Sequence, residues 1–326
     1  MNRVNVLLTS VGRNISLLRY FRRALKSNGI IVATDVNKYA PALFKADYAY
    51  IVAPYKSREY LKSIVGICKK HKIALLIPGN DDELLILAKY RKRIESLGVM
   101  VMVSNFKAIE ICSDKLKFIK FCAKNNFETA ELITRRGIEE KTIKFPLFIN
   151  ERFGRGSRTT FKVNNMNQLE FYLKMFKKPI VQQYIDANEY SVDLFADFNG
   201  KVVSAIPRLR LSTLAGESVL GVTENKKNLI SECIRLAKTL KMIGHINIQC
   251  FLDSGKVKFT EINPRFGGGS SLSIEAGCDS PRFLVQLARG KKVKNIVGKF
   301  KTNLLMTRYI ESIFAQKGKV KWDDLK

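Results

Sequence analysis

The run Glu261-Ile262-Asn263-Pro264-Arg265-Phe266-Gly267-Gly268-Gly269-Ser270 concentrates more chemistry than any other stretch of this sequence. On an extended strand Glu261 and Asn263 stand two apart, so both point to one face. Their adjacent oxygens suit Mg²⁺, a hard cation usually held by one or two carboxylates together with substrate phosphates. Gln249 falls on the strand expected before the turn Asp253-Ser254-Gly255 and offers a third oxygen across the ladder. Pro264 ends the strand, and Arg265 can meet an anion through two parallel hydrogen bonds. The glycines that follow let backbone N–H groups approach the same anion closely.

Two further constellations suit a nucleotide. Phe153-Gly154-Arg155-Gly156-Ser157-Arg158 lies between two expected strands. A Gly-rich hairpin tip with guanidinium groups is a natural flap over phosphates. In Gln182-Gln183-Tyr184-Ile185-Asp186-Ala187-Asn188-Glu189 a strand leaves into a polar turn and a second strand begins at Glu189. Such a crossing offers backbone N–H and C=O to a base and a carboxylate to ribose hydroxyls. Arg208 and Arg210, two apart on a strand, share a face and suit an acidic substrate. His71 and His245 have no partner nearby in sequence and are read as structural. Gly12 and Asp35 would fit a dinucleotide-binding βαβ unit, but no GxGxxG is present, so NAD and FAD are not expected.

The elements that must position these residues fall into two parts. Up to about residue 105, short apolar runs (Val4–Thr9, Ile30–Thr34, Ala74–Ile77, Val99–Val103) alternate with helical patterns at 15–27, from Ser57, and at 81–96. This alternation predicts a parallel sheet covered by helices. Beyond a helix at 114–125, strands dominate: Pro146–Asn150, Thr159–Val163, Ile180–Ile185, Tyr190–Asp197, Lys201–Arg210, Ile246–Leu252 and Val257–Ile262. Helices are expected at about 166–177 and 226–241. The fold class is therefore α/β followed by α+β with antiparallel sheets, and no element is assigned to the basic end of the chain.

The 326 residues suggest about two domains. Six scattered cysteines form no CxxC pair and read as small buried hydrophobes in a reducing compartment. No apolar run approaches the ~18–20 residues that span a bilayer, and the N-terminus is too short and polar for a signal peptide. A cytoplasmic protein with no membrane partner is expected. The 57 Lys+Arg against 29 Asp+Glu leave a formal charge of +28. Such an excess fits a nucleic-acid binder, anionic substrates or a solvated surface. No helix-turn-helix, zinc-finger or RNP pattern is present, so nucleic acid is not expected as a partner.

The order of motifs (basic helix start, Gly-rich flap, Q-x-Y-I-x(3)-E hinge, Q-x(11)-E-x-N-P-R) resembles the ATP-grasp superfamily, in particular short proteins similar to the large subunit of carbamoyl-phosphate synthase. The resemblance covers about residues 4–290. It includes a Rossmann-like pre-ATP-grasp domain with Leu8-Thr9-Ser10-Val11-Gly12-Arg13 and Ile77-Pro78-Gly79-Asn80-Asp81-Asp82-Glu83-Leu84. It implies a two-lobed ATP-grasp fold after that domain: 1–105, then 106–295 (small lobe about 115–185, large lobe about 186–295), then a basic segment 296–326. It further implies ATP and Mg²⁺, with Mn²⁺ as a substitute, as cofactors. Lys115 matches the basic residue that reaches the phosphates. Gly154, Gly156 and Ser157 match the flap, with Arg152 before it. Gln183, Tyr184 and Ile185 match the adenine hinge, and Glu189 the ribose carboxylate. Gln249, Glu261 and Asn263 match the metal ligands, and Arg265 the arginine near the transferred phosphate.

The family's chemistry is ATP-dependent activation of a carboxylate as an acyl phosphate, then attack by an amine or similar nucleophile. Two cations and several donors neutralise the moving phosphoryl group. The implied partners are small-molecule carboxylate and amine substrates, and a homodimer is open to the chain. Asn150-Glu151 stands where the family's flap is usually entered by Lys-Pro, and Gln183 where Glu is common. The lost cation leaves two outcomes: compensation by Arg152, Arg155 or Arg158, or a catalytically degenerate nucleotide- or ligand-binding module.

Overall fold

The computed structural model describes residues 3–140, 142–154, 160–316 and 322. The N-terminal apolar runs form β1 (Asn5–Thr9), β2 (Ile31–Asp35), β3 (Tyr48–Ile51), β4 (Ile73–Pro78) and β5 (Met100–Val101) of one parallel sheet, ordered β3-β2-β1-β4-β5. Leu7, Val32 and Leu76 face a core with the helix Arg58–Lys70, whereas Val6, Leu8 and Leu75 face one with the helix Ile15–Leu25. Burial on both faces is why these strands read as near-continuous apolar runs rather than alternating ones. The order reverses between β1 and β4, which opens a crevice at their C-terminal ends. Gly79 lies there because a Cβ would come within 2.5 Å of Thr9 O. Asn80 then caps the helix Asp81–Lys89 in a capping box with Glu83.

The remaining strands are β6 (Glu128–Thr129), β7 (Leu147–Glu151), β8 (Thr160–Val163), β9 (Pro179–Gln183), β10 (Asn188–Ala196), β11 (Val202–Leu214), β12 (Glu217–Thr223), β13 (Gly244–Asp253), β14 (Lys256–Asn263) and β15 (Leu305–Thr307). A small antiparallel sheet runs β8-β7-β9, and a larger one runs β15-β12-β11-β10-β13-β14-β6. In the larger sheet every pair is antiparallel except β14 with β6.

Period-two alternation gives the larger sheet two unlike faces. Tyr190, Val192, Leu194, Ile246, Ile248 and Cys250 pack on Leu229, Cys233 and Leu236 of the helix Lys227–Thr239. The opposite face carries Glu189, Ser191 and Asp193 on β10, with Asn247 and Gln249 opposite them on β13. A bulge brings Glu261 to that polar face. Cys250 pairs with Phe259 and Gln249 with Glu261, so two steps on β14 oppose one on β13, and Thr260 is the extra residue.

Several expected elements shift. The helix expected at 81–96 is two, Asp81–Lys89 and Arg91–Glu95, broken at Tyr90, and the strand at 99–103 keeps only Met100–Val101. The helices Phe106–Cys112, Ser270–Ala276 and Ser280–Ala288 and the strands β3 and β12 were not anticipated. Near the basic end Ile296 and Phe300 pack on the core shared with the helix Ile15–Leu25, and β15 pairs with β12. Among the described residues no helix is long and apolar enough to cross a membrane.

Candidate active site

The polar face of the large sheet forms the floor of two joined clefts. The first, of about 520 Å³, lies between the two antiparallel sheets; Lys115, Gln183, Tyr184, Ile185 and Glu189 line it. The second, of about 180 Å³, continues toward the N-terminal sheet, with Arg208, Asn263, Arg265 and Gly267–Gly269 in its wall. Gly154, Arg210, Gln249 and Glu261 line both and mark the junction. Thus most residues expected at a nucleotide and phosphate site, drawn from six elements, meet in one place. Gly156 and Ser157, with Arg155 and Arg158, lie outside the described residues.

The strand register accounts for this convergence. Gln249 pairs directly with Glu261, and Asn247 with Asn263. Asn263 Nδ2 donates to Glu261 Oε1 at 2.9 Å. The Gln249 carbonyl is engaged elsewhere: Arg210 Nη1 donates to it at 2.6 Å and to Glu189 Oε1 at 2.8 Å. Burial raises the Glu189 carboxyl above its usual range; Arg210 opposes that shift and Glu261 adds to it. Among the described residues no group of three or more His, Cys, Asp or Glu could hold a metal. The Glu261 carboxylate with the Asn263 amide oxygen is instead a donor set suited to a cation that also takes substrate oxygens.

Arg152 departs from the expectation. Its guanidinium meets Asp114 at 2.7 and 2.6 Å, and it does not line the first cleft. Asp114 is the N-cap of the helix Lys115–Lys124, and its carboxylate accepts from Leu116 N and Lys117 N as well. A charge-assisted, two-point pair on a cap holds the arginine at the helix start. Burial pushes the Asp114 carboxyl up, but Arg152 and these N–H donors outweigh it and hold it below the usual range. Lys115 stands in the cleft together with Arg210, and its Nζ donates to Gly154 O at 2.6 Å at the base of the flap. Asn150 is buried and lines the cleft, with Oδ1 unpartnered among the described residues. Glu151 does not add its charge there, because its Oε1 accepts from Lys178 N at 2.9 Å.

Arg208 and Arg210 share a face as expected, and neither is surface charge. Arg208 is 2 % exposed and donates to Asp193 Oδ2 at 2.8 Å. Asp193 also accepts from Asn247 Nδ2 at 2.6 Å and from Ser273 Oγ. Burial would raise its carboxyl, but Arg208 and His245 hold it far below the usual range. A second guanidinium nitrogen, Arg208 Nη1, is buried without a partner among the described residues, and Arg208 lines the second cleft. A Cβ on Gly269 would come within 2.8 Å of that nitrogen, so a larger residue there would push the buried guanidinium aside. His245 is structural, as its isolation suggested: it stacks on Phe266 at 4.2 Å and bonds Ser280 Oγ and Ser270 Oγ. Ser270 Oγ accepts in turn from Gly267 N, which holds the glycine turn in place.

Three acidic groups on the approach were not assigned a role from sequence. Asp81, at the first turn of a helix in the N-terminal part, takes Arg265 Nη2 at 2.5 Å. Glu217 sits under Gly268 and pairs with Arg13 and Arg308, both at 3.0 Å. Asp193 sits mid-strand in β10, two residues beyond Ser191. The signals for Asp81 were its place directly after an apolar strand and its presence in the Ile77–Leu84 run that carries the family resemblance. Nothing local marks Glu217 or Asp193.

Residues 6–102 match the family described as PylC-like, N-terminal domain, and residues 175–311 match ATP-grasp in the biosynthetic pathway with Ter operon. Among similar proteins, the carbamoyl phosphate synthase large chain of Caldanaerobacter subterraneus subsp. tengcongensis is 28% identical over 259 residues, 72% of this chain and 24% of that one. The Pyrococcus furiosus large chain is 24% identical over 278 residues, 77% of this chain and 26% of that one. The chain thus spans about a quarter of the length of these relatives. The biotin carboxylase domain dimer of Hydrogenobacter thermophilus 2-oxoglutarate carboxylase, solved with MgADP, ADP and bicarbonate, has a TM-score of 0.73 at 18% identity, over 93% of this chain and 73% of that one. Staphylococcus aureus N5-carboxyaminoimidazole synthetase with ADP has a TM-score of 0.73 at 15% identity, over 93% and 81%. At such identities the structures show a shared fold. With its ordered motifs, its two family matches and its homology to carbamoyl phosphate synthase large chains, this chain carries an ATP-grasp domain behind a PylC-like N-terminal domain.

Proposed function

We propose that the chain is an ATP- and Mg²⁺-dependent ligase that activates a carboxylate as an acyl phosphate for attack by an amine or similar nucleophile. The observation that carries this reading is the junction of the two clefts, where Arg210, Gln249 and Glu261 separate a nucleotide-sized cavity from one walled by Arg208, Arg265 and three glycines. In this reading residues 106–295 hold the nucleotide, and residues 1–105 wall the acceptor side through the Asp81–Arg265 contact.

Gln183, Tyr184 and Ile185 would line the base, Glu189 would face the ribose, and Lys115 with Gly154 would meet the phosphates. Glu261 and Asn263 would hold Mg²⁺, which draws charge off the phosphates when bound. Arg208 Nη1 and the Gly267–Gly269 backbone would hold the carboxylate in line with the γ-phosphorus. A carboxylate oxygen then forms the new O–P bond as the bond to the β-phosphate oxygen breaks, releasing ADP. Arg265, kept in place by Asp81, faces the charge that develops there. The amine nitrogen next attacks the acyl carbon, inorganic phosphate departs with the C–O bonding pair, and the nitrogen loses its proton. Incubating the chain with ATP and a panel of carboxylates and amines, with mass spectrometry of products, tests this. ADP release that no carboxylate stimulates would refute it.

Asn150 in place of a lysine supports a second reading, a ligand-binding module without turnover. Calorimetry with MgATP separates the two: tight binding without any product favours the module. A homodimer is part of the proposal, in keeping with the dimeric biotin carboxylase domain, and sedimentation tests it.

A further inference from the structure

Arg210 stands where the two clefts meet, and its contacts are those of a built-in cation. Its side chain is 5 % exposed. One guanidinium nitrogen bridges Glu189 Oε1 and Gln249 Oε1, and Nη2 donates to Gly216 O at 2.8 Å. Gln249 is the cross-strand partner of Glu261, so the positive charge sits between two carboxylates of one sheet face. Its Nε is buried with no partner among the described residues. The guanidinium is always charged, and its planar fork matches these acceptors. A carbonyl oxygen that already accepts a charged hydrogen bond is a poor ligand for Mg²⁺. A cation brought onto it would face the guanidinium across a few ångströms of buried space. Glu261 accepts no such contact from Arg210, and the charged contact on the Asn263 carbonyl, from Arg265 Nη2, is long at 3.5 Å, while the bond from Asn263 to Glu261 sets the amide orientation.

We propose that Arg210 permanently fills one of the two cation positions at the phosphate end of the cleft, so that this chain takes a single divalent cation, on Glu261 and Asn263, with each nucleotide. This rests on the nucleotide-binding reading above. The test uses the whole chain, a non-hydrolysable ATP analogue and Mn²⁺. Calorimetry counts bound analogue, and electron paramagnetic resonance counts bound Mn²⁺. One Mn²⁺ per bound analogue, without a spin-coupled pair signal, is expected. Two, or a coupled pair, overturns the proposal. Arg210→Gln, with its fold checked by circular dichroism, should bind a second Mn²⁺ per analogue; an unchanged count of one also overturns it. If that variant does not fold, the parent count alone decides. A parent chain that binds no analogue sinks the nucleotide reading itself, and this proposal with it.

Discussion

Replacing Asp193 by Asn probes the most deeply buried arginine–carboxylate pair among the described residues. The side chains of Asp193 and Arg208 are 0% and 2% exposed, and their 2.8 Å contact is supported by Asn247 and Ser273. An amide keeps the shape but leaves the guanidinium without a countercharge. Breaking a buried pair from one side costs about 3–5 kcal/mol, against total stabilities of roughly 5–15 kcal/mol. The variant should therefore fold, with a much lower urea midpoint by far-UV circular dichroism at pH 7. Acid supplies a second signature. The folded Asp193 carboxyl titrates far below its unfolded value of about 3.9, so its stabilisation is fully present above that pH and lost as pH falls. Below pH 4 the gap between parent and variant should narrow by up to about 1.4 kcal/mol per pH unit. Adding Arg208→Met to Asp193→Leu should recover much of the loss, because a packed apolar pair needs no countercharge. A cost under about 1 kcal/mol at pH 7, or a gap that does not narrow toward pH 3, would refute this account of the cluster.

Other outcomes follow from the same geometry. Glu261→Ala should lower kcat by about 10²–10³ in an ADP-release assay, the loss typical when a transition-state stabiliser is removed. Gly269→Ala, meeting Arg208 Nη1 at 2.8 Å and Ser218 Cβ at 3.3 Å, should raise the carboxylate KM and cost about 1–3 kcal/mol in a urea melt. Gly244→Ala combines a φ of +77° with a Cβ 2.4 Å from Met102 Cγ, so its melting temperature should fall clearly even though the site is far from the clefts. Asn150→Lys should tighten ATP binding by about ten- to a hundredfold in calorimetry, since a charge-assisted bond contributes about 1.5–3 kcal/mol; unchanged binding would show that Lys115 and Arg210 already supply the positive charge.

Much of the fold was legible because local patterns carried it. Buried parallel strands read as unbroken apolar runs, and the helix starts expected at Ser57 and at residue 114 are real, each with its N-cap side chain in place. Elements escaped notice where their formation depends on distant partners. The strand β12 is a mixed run, Glu217–Thr223, that is extended because β11 pairs along it, and the helix Ser270–Ala276 begins with no side-chain cap. The functional run around Glu261 was visible by residue type alone, since few purposes other than cation and anion binding need E-x-N-P-R-x-G-G-G.

What the sequence determined by itself was therefore the cast of residues and the order of the elements that carry them. Tertiary structure decided how those residues face one another. Strict alternation from Val257 and Phe259 would have turned Glu261 into the core; the bulge at Thr260, defined only by pairing with β13, turns it to Gln249 instead. Arg152 looked equivalent to any other flap arginine until Asp114, 38 positions earlier, claimed it. Arg265 meets Asp81 across 184 positions, and Arg208 meets Asp193 across a strand pair. Charge pairing acts through space at a few ångströms, and only the folded chain sets those distances.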